Sequence, residues 1–273
     1  MSSLSSADER PAVIGIVGGV GPFAGLDLQR KILEQTVAAR DQDHLPVIAV
    51  SWPARIADRT EFLLGQERVN PAQAIVEQLR LLAGAGATLA AIPCNTAHAP
   101  AIFDVVVDRL TGRGADFERP PRLLNMIDET AAHLADRFPT LRTVGVLSTT
   151  GTWRTRLYPA ALEPRGFRVV VPDETLQLET VHPAIYDPTR GIKATGAPSA
   201  WARAGLTRAI AALRDQGAEA IILGCTELPL AFPQRSLDSL PLVDPTLALA
   251  RALIGAADPE RLKPWTEQPE ATE

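Results

Sequence analysis

Two kinds of apolar pattern alternate along the chain. Short uninterrupted apolar runs that end in small or polar residues, such as residues 12–19 and 143–147, are typical of buried parallel strands. Longer stretches carry apolar residues at helical spacing; in residues 69–86 a proline, Pro71, suits the first turn and glycines close the helix. This alternation predicts an α/β fold in which mostly parallel sheets are flanked by helices.

The same patterns predict the individual elements. Strands are predicted at residues 12–19, 45–53, 123–127, 143–147 and 166–173, and in the runs before Cys94 and Cys225. Helices are predicted at residues 23–37, 69–86, 101–110, 129–137, 199–214 and 246–257. Residues 111–122 are rich in glycine, proline and charge and mark a boundary, and residues 182–196 are predicted to be irregular.

Three blocks of the first half recur in the same order in the second half. The matching blocks are residues 86–94 with 217–225, residues 13–21 with 143–151, and residues 123–135 with 241–253. In the third pair, an aspartate (Asp128 or Asp244) stands between a predicted strand and a predicted helix. Matching blocks in one order indicate two homologous, pseudo-symmetric halves.

The repeat also predicts how the chain divides into domains. Because the last helix is expected to pack back on the first half, the first domain is predicted to comprise residues 12–122 and 241–262, and the second residues 123–240. Domains of this size are common. Two similar domains that face each other would place equivalent loops at a shared active-site cleft.

Charge and composition limit the possible partners. The chain has 27 basic and 32 acidic residues and no basic cluster, so we expect no binding to nucleic acid or to an anionic membrane. No apolar run reaches the ~18 residues of a transmembrane helix. Residues 1–11 lack the apolar core of a signal peptide, and they and residues 264–273 are predicted to be loose tails. These features predict a cytoplasmic protein.

The chain has two cysteines, Cys94 in PCNTAH and Cys225 in GCTELP, and each follows an apolar strand. Chemistry in open α/β sheets gathers at the carboxyl ends of the strands. A single cysteine is more often a buried small hydrophobe, and a disulfide is disfavoured in the cytosol. Both cysteines, however, are followed by threonine within two residues, at Thr96 and Thr226. The paired positions favour a functional role.

Two thiols on opposite sides of a cleft can invert a carbon centre. One thiolate removes a proton from one face while the other thiol delivers a proton to the opposite face. Since a free cysteine is mostly protonated at neutral pH, the site must lower the pKa of one thiol. Backbone amides and the side chains of Asn95, Thr96 and Thr226 are candidates to stabilise the developing negative charge.

Other polar residues carry weaker signals. The loop with Gly18, Gly19 and Gly21 precedes a helix and suits a small carboxylate; it lacks the third glycine of a dinucleotide fingerprint. Arg59 lies in a loop near a strand end, where an arginine is more often a solvated ion pair. His98 is a possible general acid, and a structural role is favoured for it.

The segments IGIVGGVGP, DRT, PCNTAH, LSTTGT and GCTELPL together resemble the cofactor-independent aspartate/glutamate racemase superfamily, most closely its aspartate racemase branch. The resemblance covers most of the chain. It implies two similar α/β domains with the active site between them, no pyridoxal phosphate, no metal and a homodimer. It also implies that Cys94 and Cys225 are the opposed catalytic acid and base.

The resemblance extends to substrate-binding residues and implies an acidic amino acid, aspartate before glutamate, as the small-molecule partner. The residues that match positions gripping the α-carboxylate are Asn95, Thr96, Thr149 and Thr226. Arg59 and Lys193 match positions that hold the side-chain carboxylate. Trp52 departs from the pattern, because aspartate racemases often have asparagine there, and its bulk could reshape the pocket.

Several other functions fit parts of this pattern. A maleate isomerase or a decarboxylase of the same superfamily uses one cysteine, whereas this chain has both. A hydantoin racemase has two cysteines, yet its neutral substrate would not need Arg59 and Lys193. A carboxylate-binding protein without turnover, or a redox pair, would not need a thiol on each side of a cleft.

Overall fold

Two sheets, one from each half of the chain, form the framework of the computed structural model, which describes residues 11–113, 115 and 117–265. The predicted tails at residues 1–11 and 264–273 lie almost entirely outside these residues. The strands are β1 (Ile14–Gly18), β2 (Val47–Ser51), β3 (Leu89–Ala91), β4 (Arg122–Leu124), β5 (Thr143–Ser148), β6 (Arg168–Val170), β7 (Ala220–Gly224), β8 (Ser236–Leu237) and β9 (Leu240–Val243).

The strands pair almost entirely in parallel. The first sheet has the order β2-β1-β3-β4, and the second has the order β6-β5-β7-β9-β8. Among these strands only β8 and β9 pair antiparallel. Strands β1 and β7 lie inside their sheets and are buried along their whole length, which explains their continuous apolar sequences.

Helices connect the strands. The α-helices are α1 (Pro22–Gln35), α2 (Arg59–Leu63), α3 (Ala72–Gly84), α4 (Pro100–Thr111), α5 (Met126–Arg137), α6 (Thr150–Arg154), α7 (Leu157–Leu162), α8 (Glu174–Leu176), α9 (His182–Tyr186), α10 (Ile192–Thr195), α11 (Ala200–Asp215), α12 (Leu228–Ala231) and α13 (Pro245–Ala257). A π-helical turn, Gln177–Val181, joins α8 to α9. The prediction of an α/β fold with parallel sheets flanked by helices is confirmed.

The last helix of each half packs on the other half. Ile127 and Leu134 of α5 join the apolar cluster of the second sheet. Leu249 and Leu253 of α13 join the cluster beneath β1, as expected for the last helix. Lys31 of α1 also pairs with the carboxylate that precedes α13. The exchange of helices ties the two halves together.

The strand pairing corrects the predicted domain division at two places. Strand β4 pairs with β3 of the first sheet, although Leu123 and Leu124 were assigned to the second domain. Strand β9 pairs with β7 of the second sheet, although residues 241–243 were assigned to the first domain. The chain crosses from one half to the other after β4, where α5 begins, and after β9, where α13 begins.

The structure also shifts the register of the third repeat. Asn125 accepts hydrogen bonds from two backbone amides at the start of α5, and Asp244 does the same at the start of α13. Helix starts favour such side chains because the first amides have no partner within the helix. Asn125, rather than Asp128, is therefore the counterpart of Asp244.

Residues 182–196 are helical in part, so the prediction of an irregular segment is wrong. The segment contains α9 and α10, with five and four residues. Helices this short show too little periodicity to be recognised from sequence. Helix α10 carries Lys193.

Candidate active site

The two cysteines occupy equivalent places in the two halves. Cys94 follows β3 and Cys225 follows β7, and each of these strands pairs with the first strand of its own half. Both thiols are free and buried, with exposed fractions of 6% and 5%. Both therefore lie at carboxyl ends of strands, where the sequence predicted them.

Two equivalent glycines bring the halves together. A Cβ atom on Gly21 would lie 3.2 Å from Glu227 Oε1 of the other half. A Cβ atom on Gly151 would lie 3.0 Å from Thr60 Oγ1 and 3.1 Å from Thr96 Cγ2. Each loop after a first strand therefore approaches residues of the opposite half, at or near its cysteine loop. Gly21 and Gly151 occupy matching positions in the sequence repeat.

A cluster of buried threonine hydroxyls joins the halves beside Cys94. Thr96 Oγ1 lies 3.0 Å from Thr149 Oγ1 and 3.0 Å from Thr152 Oγ1. Thr149 is also the N-cap of α6, because its hydroxyl accepts from the Thr152 amide. The structure thus brings together two predicted site residues, Thr96 and Thr149. Thr152 was not predicted, although it lies in the same STTGT loop.

Asn95 is held by a residue that the sequence did not single out. The hydroxyl of Tyr158 in α7 donates to Asn95 Oδ1 at 2.5 Å. Burial raises the pKa of Tyr158, so its hydroxyl stays protonated and donates. Asn95 Nδ2 is buried and has no hydrogen-bond partner among the residues that the structure describes. The amide is thereby oriented with its acceptor satisfied and its donor unpaired.

Arg59 is buried at the start of α2. Its two terminal nitrogens donate to backbone carbonyls, at 2.6 Å to Val20 and 3.3 Å to Ala57. Its Nε has no partner within the described part of the chain. Burial lowers the pKa of Arg59, but the Cys94 side chain and the Asp58 carboxylate outweigh it and leave the pKa raised. The guanidinium therefore remains charged beside Cys94.

Lys193 lies against the second cysteine loop. Its Nζ donates to Glu227 Oε1 at 2.8 Å, and its side chain is largely buried. Burial and Arg59 lower the pKa of Lys193, whereas Glu227 and Cys225 raise it, and the net shift is upward. Arg59 is thus one of the charges that act on Lys193.

Glu227 contacts Cys225 directly and was missed by the sequence reasoning. The Cys225 thiol donates to Glu227 Oε2 at 2.9 Å, and the Thr226 hydroxyl donates to the same oxygen at 3.2 Å. Burial raises the pKa of Glu227, but Lys193 and these hydrogen bonds lower it overall. The signal was present in the sequence, because GCTELP places an acidic residue two positions after the cysteine.

The environment of Cys225 opposes ionisation of its thiol. Burial raises the pKa of Cys225, and the Glu227 carboxylate raises it further, against the smaller opposing effect of Lys193. Proton removal by a thiolate near neutral pH requires a lowered pKa for one of the two thiols. The surroundings of Cys225 shift its pKa in the other direction.

His98 has a structural role, as expected. Its Nδ1 donates to the Cys94 carbonyl at 2.9 Å, and its Nε2 accepts from the Met126 amide at 3.2 Å. Burial lowers the pKa of His98 to about 4, so the ring is neutral near pH 7. Both ring nitrogens are occupied, and the ring holds the Cys94 backbone against the start of α5.

Trp52 lies partly in solvent. The side chain is 44% exposed, and the Arg55 guanidinium lies 4.0 Å from the centre of its ring. The backbone of Trp52, rather than its ring, contacts the loop after β1. A Cβ atom on Gly19 of that loop would lie 2.9 Å from the backbone nitrogen of Trp52.

Two features are absent from the part of the chain that the structure describes. No three side chains of the His, Cys, Asp or Glu type gather there in a way that could hold a metal ion. No helix there is both long enough and apolar enough to span a membrane.

The protein is an α/β protein of two similar halves. Each half carries a buried thiol at the carboxyl end of an equivalent strand. The chain matches the family model described as Asp/Glu/Hydantoin racemase over residues 17–253. The chain therefore belongs to the Asp/Glu/hydantoin racemase family. The resemblance seen in the sequence is confirmed, and the protein is an isomerase of the racemase type.

Solved structures of racemases share this fold. The aspartate racemase of Picrophilus torridus is 29% identical, with a TM-score of 0.71, and the match covers 90% of this chain and 94% of that one. An aspartate racemase homologue from Pyrococcus horikoshii OT3 is 26% identical, with a TM-score of 0.65 and coverages of 89% and 98%.

More distant racemases share the architecture alone. The glutamate racemase of Francisella tularensis, solved with D-glutamate, is 17% identical, with a TM-score of 0.63 and coverages of 95% and 86%. The likeness extends over nearly the whole of this chain, which agrees with the arrangement of two similar halves.

Proposed function

We propose that the protein interconverts the L- and D-enantiomers of an acidic amino acid, aspartate before glutamate, by proton transfer between Cys94 and Cys225 without a cofactor. The observation that carries the proposal is the pair of buried free thiols at equivalent strand ends of the two halves. The family match and the likeness to aspartate racemases support the same reaction class.

The proposed mechanism uses the two thiols on opposite faces of the substrate Cα. The thiolate of one cysteine removes the α-proton and becomes a thiol. The thiol of the other cysteine then delivers its proton to the opposite face of the planar carbanion and becomes a thiolate. The roles of the two cysteines exchange for the reverse direction, so neither side chain has to move around the substrate.

The carbanion places negative charge on the substrate α-carboxylate, which needs hydrogen-bond donors. Asn95 Nδ2 is a buried donor without a partner, and an unpaired buried donor is costly until a ligand satisfies it. The hydroxyls of Thr96 and Thr149 are further candidate donors to this carboxylate, and that of Thr226 becomes one when it turns away from Glu227. Donors fixed in place before the reaction stabilise the developing charge without reorganisation.

The preference for an acidic side chain rests on Arg59. Its Nε is a buried donor without a partner, and a carboxylate is a strong acceptor for a guanidinium. Lys193 is a second cation at the same site, but its charge is offset by Glu227. The preference for aspartate therefore depends on Arg59 more than on Lys193, and Lys193 assists as a point charge.

The test is exchange of the α-hydrogen in heavy water. The purified protein is incubated with each enantiomer of aspartate, glutamate, alanine and serine, and the products are analysed by chiral chromatography and mass spectrometry. We expect deuterated product of inverted configuration, fastest with aspartate, and unchanged rates after treatment with EDTA or hydroxylamine. Faster turnover of alanine or serine would show that the substrate assignment is wrong. No exchange with any of the eight compounds would reject the racemase proposal.

Two further predictions accompany this proposal. We infer a homodimer from the resemblance, and a cytoplasmic location from the sequence. Both stay predictions, and sedimentation of the purified protein tests the first of them.

A further inference from the structure

The two thiols stand in unlike surroundings, although the two halves repeat. Arg59, a buried cation, lies beside Cys94. Glu227, a buried carboxylate, accepts the hydrogen bond of the Cys225 thiol at 2.9 Å. A cation stabilises a nearby thiolate, and an anion destabilises it. The pseudo-symmetric site is therefore electrostatically asymmetric.

Titratable groups approach Cys225 from several elements. Glu227 lies two residues away on the same loop, Lys193 approaches from α10, Tyr186 from α9 and Tyr158 from α7. Burial raises the pKa of Tyr158, and also that of Tyr186, so both phenols are neutral. Lys193 donates to Glu227 Oε1, and the Cys225 thiol donates to Oε2. The carboxylate is thus held between an ammonium group and a thiol.

We propose that Glu227 is a positioning residue that keeps Cys225 protonated in the resting enzyme, with Lys193 as the counter-ion that keeps Glu227 ionised. Cys225 is then the resting proton donor, and the Arg59 cation lies beside the other thiol, Cys94. The inference rests on the proposed two-thiol reaction and adds the resting state of Cys225.

The proposal makes the two halves of the catalytic cycle unequal. When Cys225 delivers its proton, its thiolate is left 2.9 Å from the Glu227 carboxylate, and the two negative charges repel. When Cys94 delivers its proton in the reverse direction, the thiolate is left beside the Arg59 cation. The enzyme form with a Cys225 thiolate is therefore the less stable of the two.

A different role for Glu227 makes the opposite prediction. If Glu227 were a base that takes the proton from Cys225, its removal would decrease the thiolate fraction of Cys225. If Glu227 holds the proton on the sulfur, replacement by neutral glutamine would increase that fraction. The direction of the change in thiolate fraction separates the two roles.

Alkylation of the substrate-free protein measures this fraction for each cysteine. Wild-type protein and the Glu227→Gln variant are treated with iodoacetamide between pH 6 and 10, and peptide mass spectrometry gives the rate at each cysteine. The pH midpoint of alkylation is the readout, because limited access slows the reaction without moving the midpoint. Exposed Glu77 provides a matched control, Glu77→Gln.

In wild-type protein we expect Cys225 to be alkylated with a pH midpoint above that of an ordinary cysteine. In Glu227→Gln the Cys225 midpoint should fall by roughly 1–3 pH units, the usual effect of a neighbouring like charge. The Glu77→Gln control should match the wild type. An unchanged or higher Cys225 midpoint in Glu227→Gln would overturn the proposal.

A second variant covers the case in which Glu227→Gln does not fold. Glu227→Ala removes the same carboxylate with a smaller side chain, so the Cys225 midpoint should fall; an unchanged or higher midpoint would overturn the proposal. Because no substrate is present, these outcomes do not depend on racemisation. Absence of α-hydrogen exchange would reject the proposed function but would not bear on the protonation of Cys225.

Discussion

The hydroxyl of Tyr158 in the second half donates to the side-chain carbonyl of Asn95 in the first half, at 2.5 Å. Asn95 directly follows Cys94, so this bond links the loop of one thiol to a helix of the other half. It also fixes which end of the Asn95 amide is free to meet a substrate.

The Tyr158→Phe substitution tests this link. It leaves Asn95 Oδ1 buried without its donor, which costs about 1–3 kcal/mol, and it removes the restraint on the amide. We expect a lower free energy of unfolding in urea and a lower kcat/KM for aspartate. An Asn95→Ala background should remove most of the effect of Tyr158→Phe on kcat/KM. Additive effects in the double variant would contradict the link.

Each cysteine should be essential for racemisation. Cys94→Ala and Cys225→Ala each remove the acid or base on one face of Cα, and such groups contribute about 10²- to 10⁴-fold in rate. Chiral chromatography of both enantiomers of aspartate measures the loss. Either variant that retained near wild-type interconversion would eliminate the two-base mechanism, although elimination from a substrate with a β-leaving group could survive in one of them.

Arg59→Leu should impair turnover of acidic substrates selectively. Loss of a buried cation opposite a carboxylate is expected to cost on the order of 2–5 kcal/mol in kcat/KM for aspartate, with a raised KM. Steady-state kinetics with aspartate and with a neutral amino acid provide the comparison. An equal loss for both substrates would mean that Arg59 serves Cys94 and does not select the side chain.

Gly151→Ala should damage the site by crowding. The added Cβ atom would lie 3.0 Å from Thr60 Oγ1 and 3.1 Å from Thr96 Cγ2, so the threonine cluster must move. Overpacking typically costs about 1–3 kcal/mol. We expect reduced kcat/KM and a lower Tm. Gly84→Ala is the matched control, because no atom lies within 4 Å of a Cβ there. A Gly151→Ala enzyme as active as this control would refute the close approach.

Protonation of His98 should destabilise the protein at acidic pH. Burial lowers the pKa of His98 to about 4 in the folded protein, compared with about 6.5 when unfolded. Between these values the unfolded chain binds more protons, so the free energy of unfolding decreases as the pH falls from about 6.5 to 4. The contribution is roughly 3 kcal/mol at full effect.

Urea unfolding at several pH values measures this decrease, with His98→Gln as the comparison. His133 acts in the same direction, since burial first and then the arginines Arg251 and Arg137 lower its pKa to about 4. In His98→Gln the free energy of unfolding should therefore still decrease as the pH falls, but less steeply than in the wild type. A pH dependence identical to that of the wild type would contradict the assignment to His98.

The local pattern of the sequence was enough to predict most elements of the fold. Strand β1 and helix α13 were predicted within two residues of their observed bounds, because a buried strand and an amphipathic helix each leave a period in the sequence. The positions of Cys94 and Cys225 after their strands followed from the same runs. The order of the repeated blocks was enough to predict two similar halves.

Only the tertiary structure decided which side chains meet. The ion pair of Glu227 with Lys193 could not be predicted from the sequence, because it joins residues far apart in the chain. It also depends on α10, a helix too short to show helical periodicity in the sequence. The hydrogen bond from Tyr158 to Asn95 likewise joins the two halves and could not be predicted from the sequence. The sequence repeat also does not show which sheet a strand joins, so the pairing of β4 with β3 and of β9 with β7 is known only from the structure.

The sequence by itself therefore determined the fold class, the family and the pair of thiols, since these depend on local periodicity and on short motifs. The tertiary structure decided the charge around each thiol. A repeat in sequence implies equivalent places, but the charge at each place depends on residues outside the repeat. Arg59 beside Cys94 and Glu227 beside Cys225 make two equivalent cysteines electrostatically unlike.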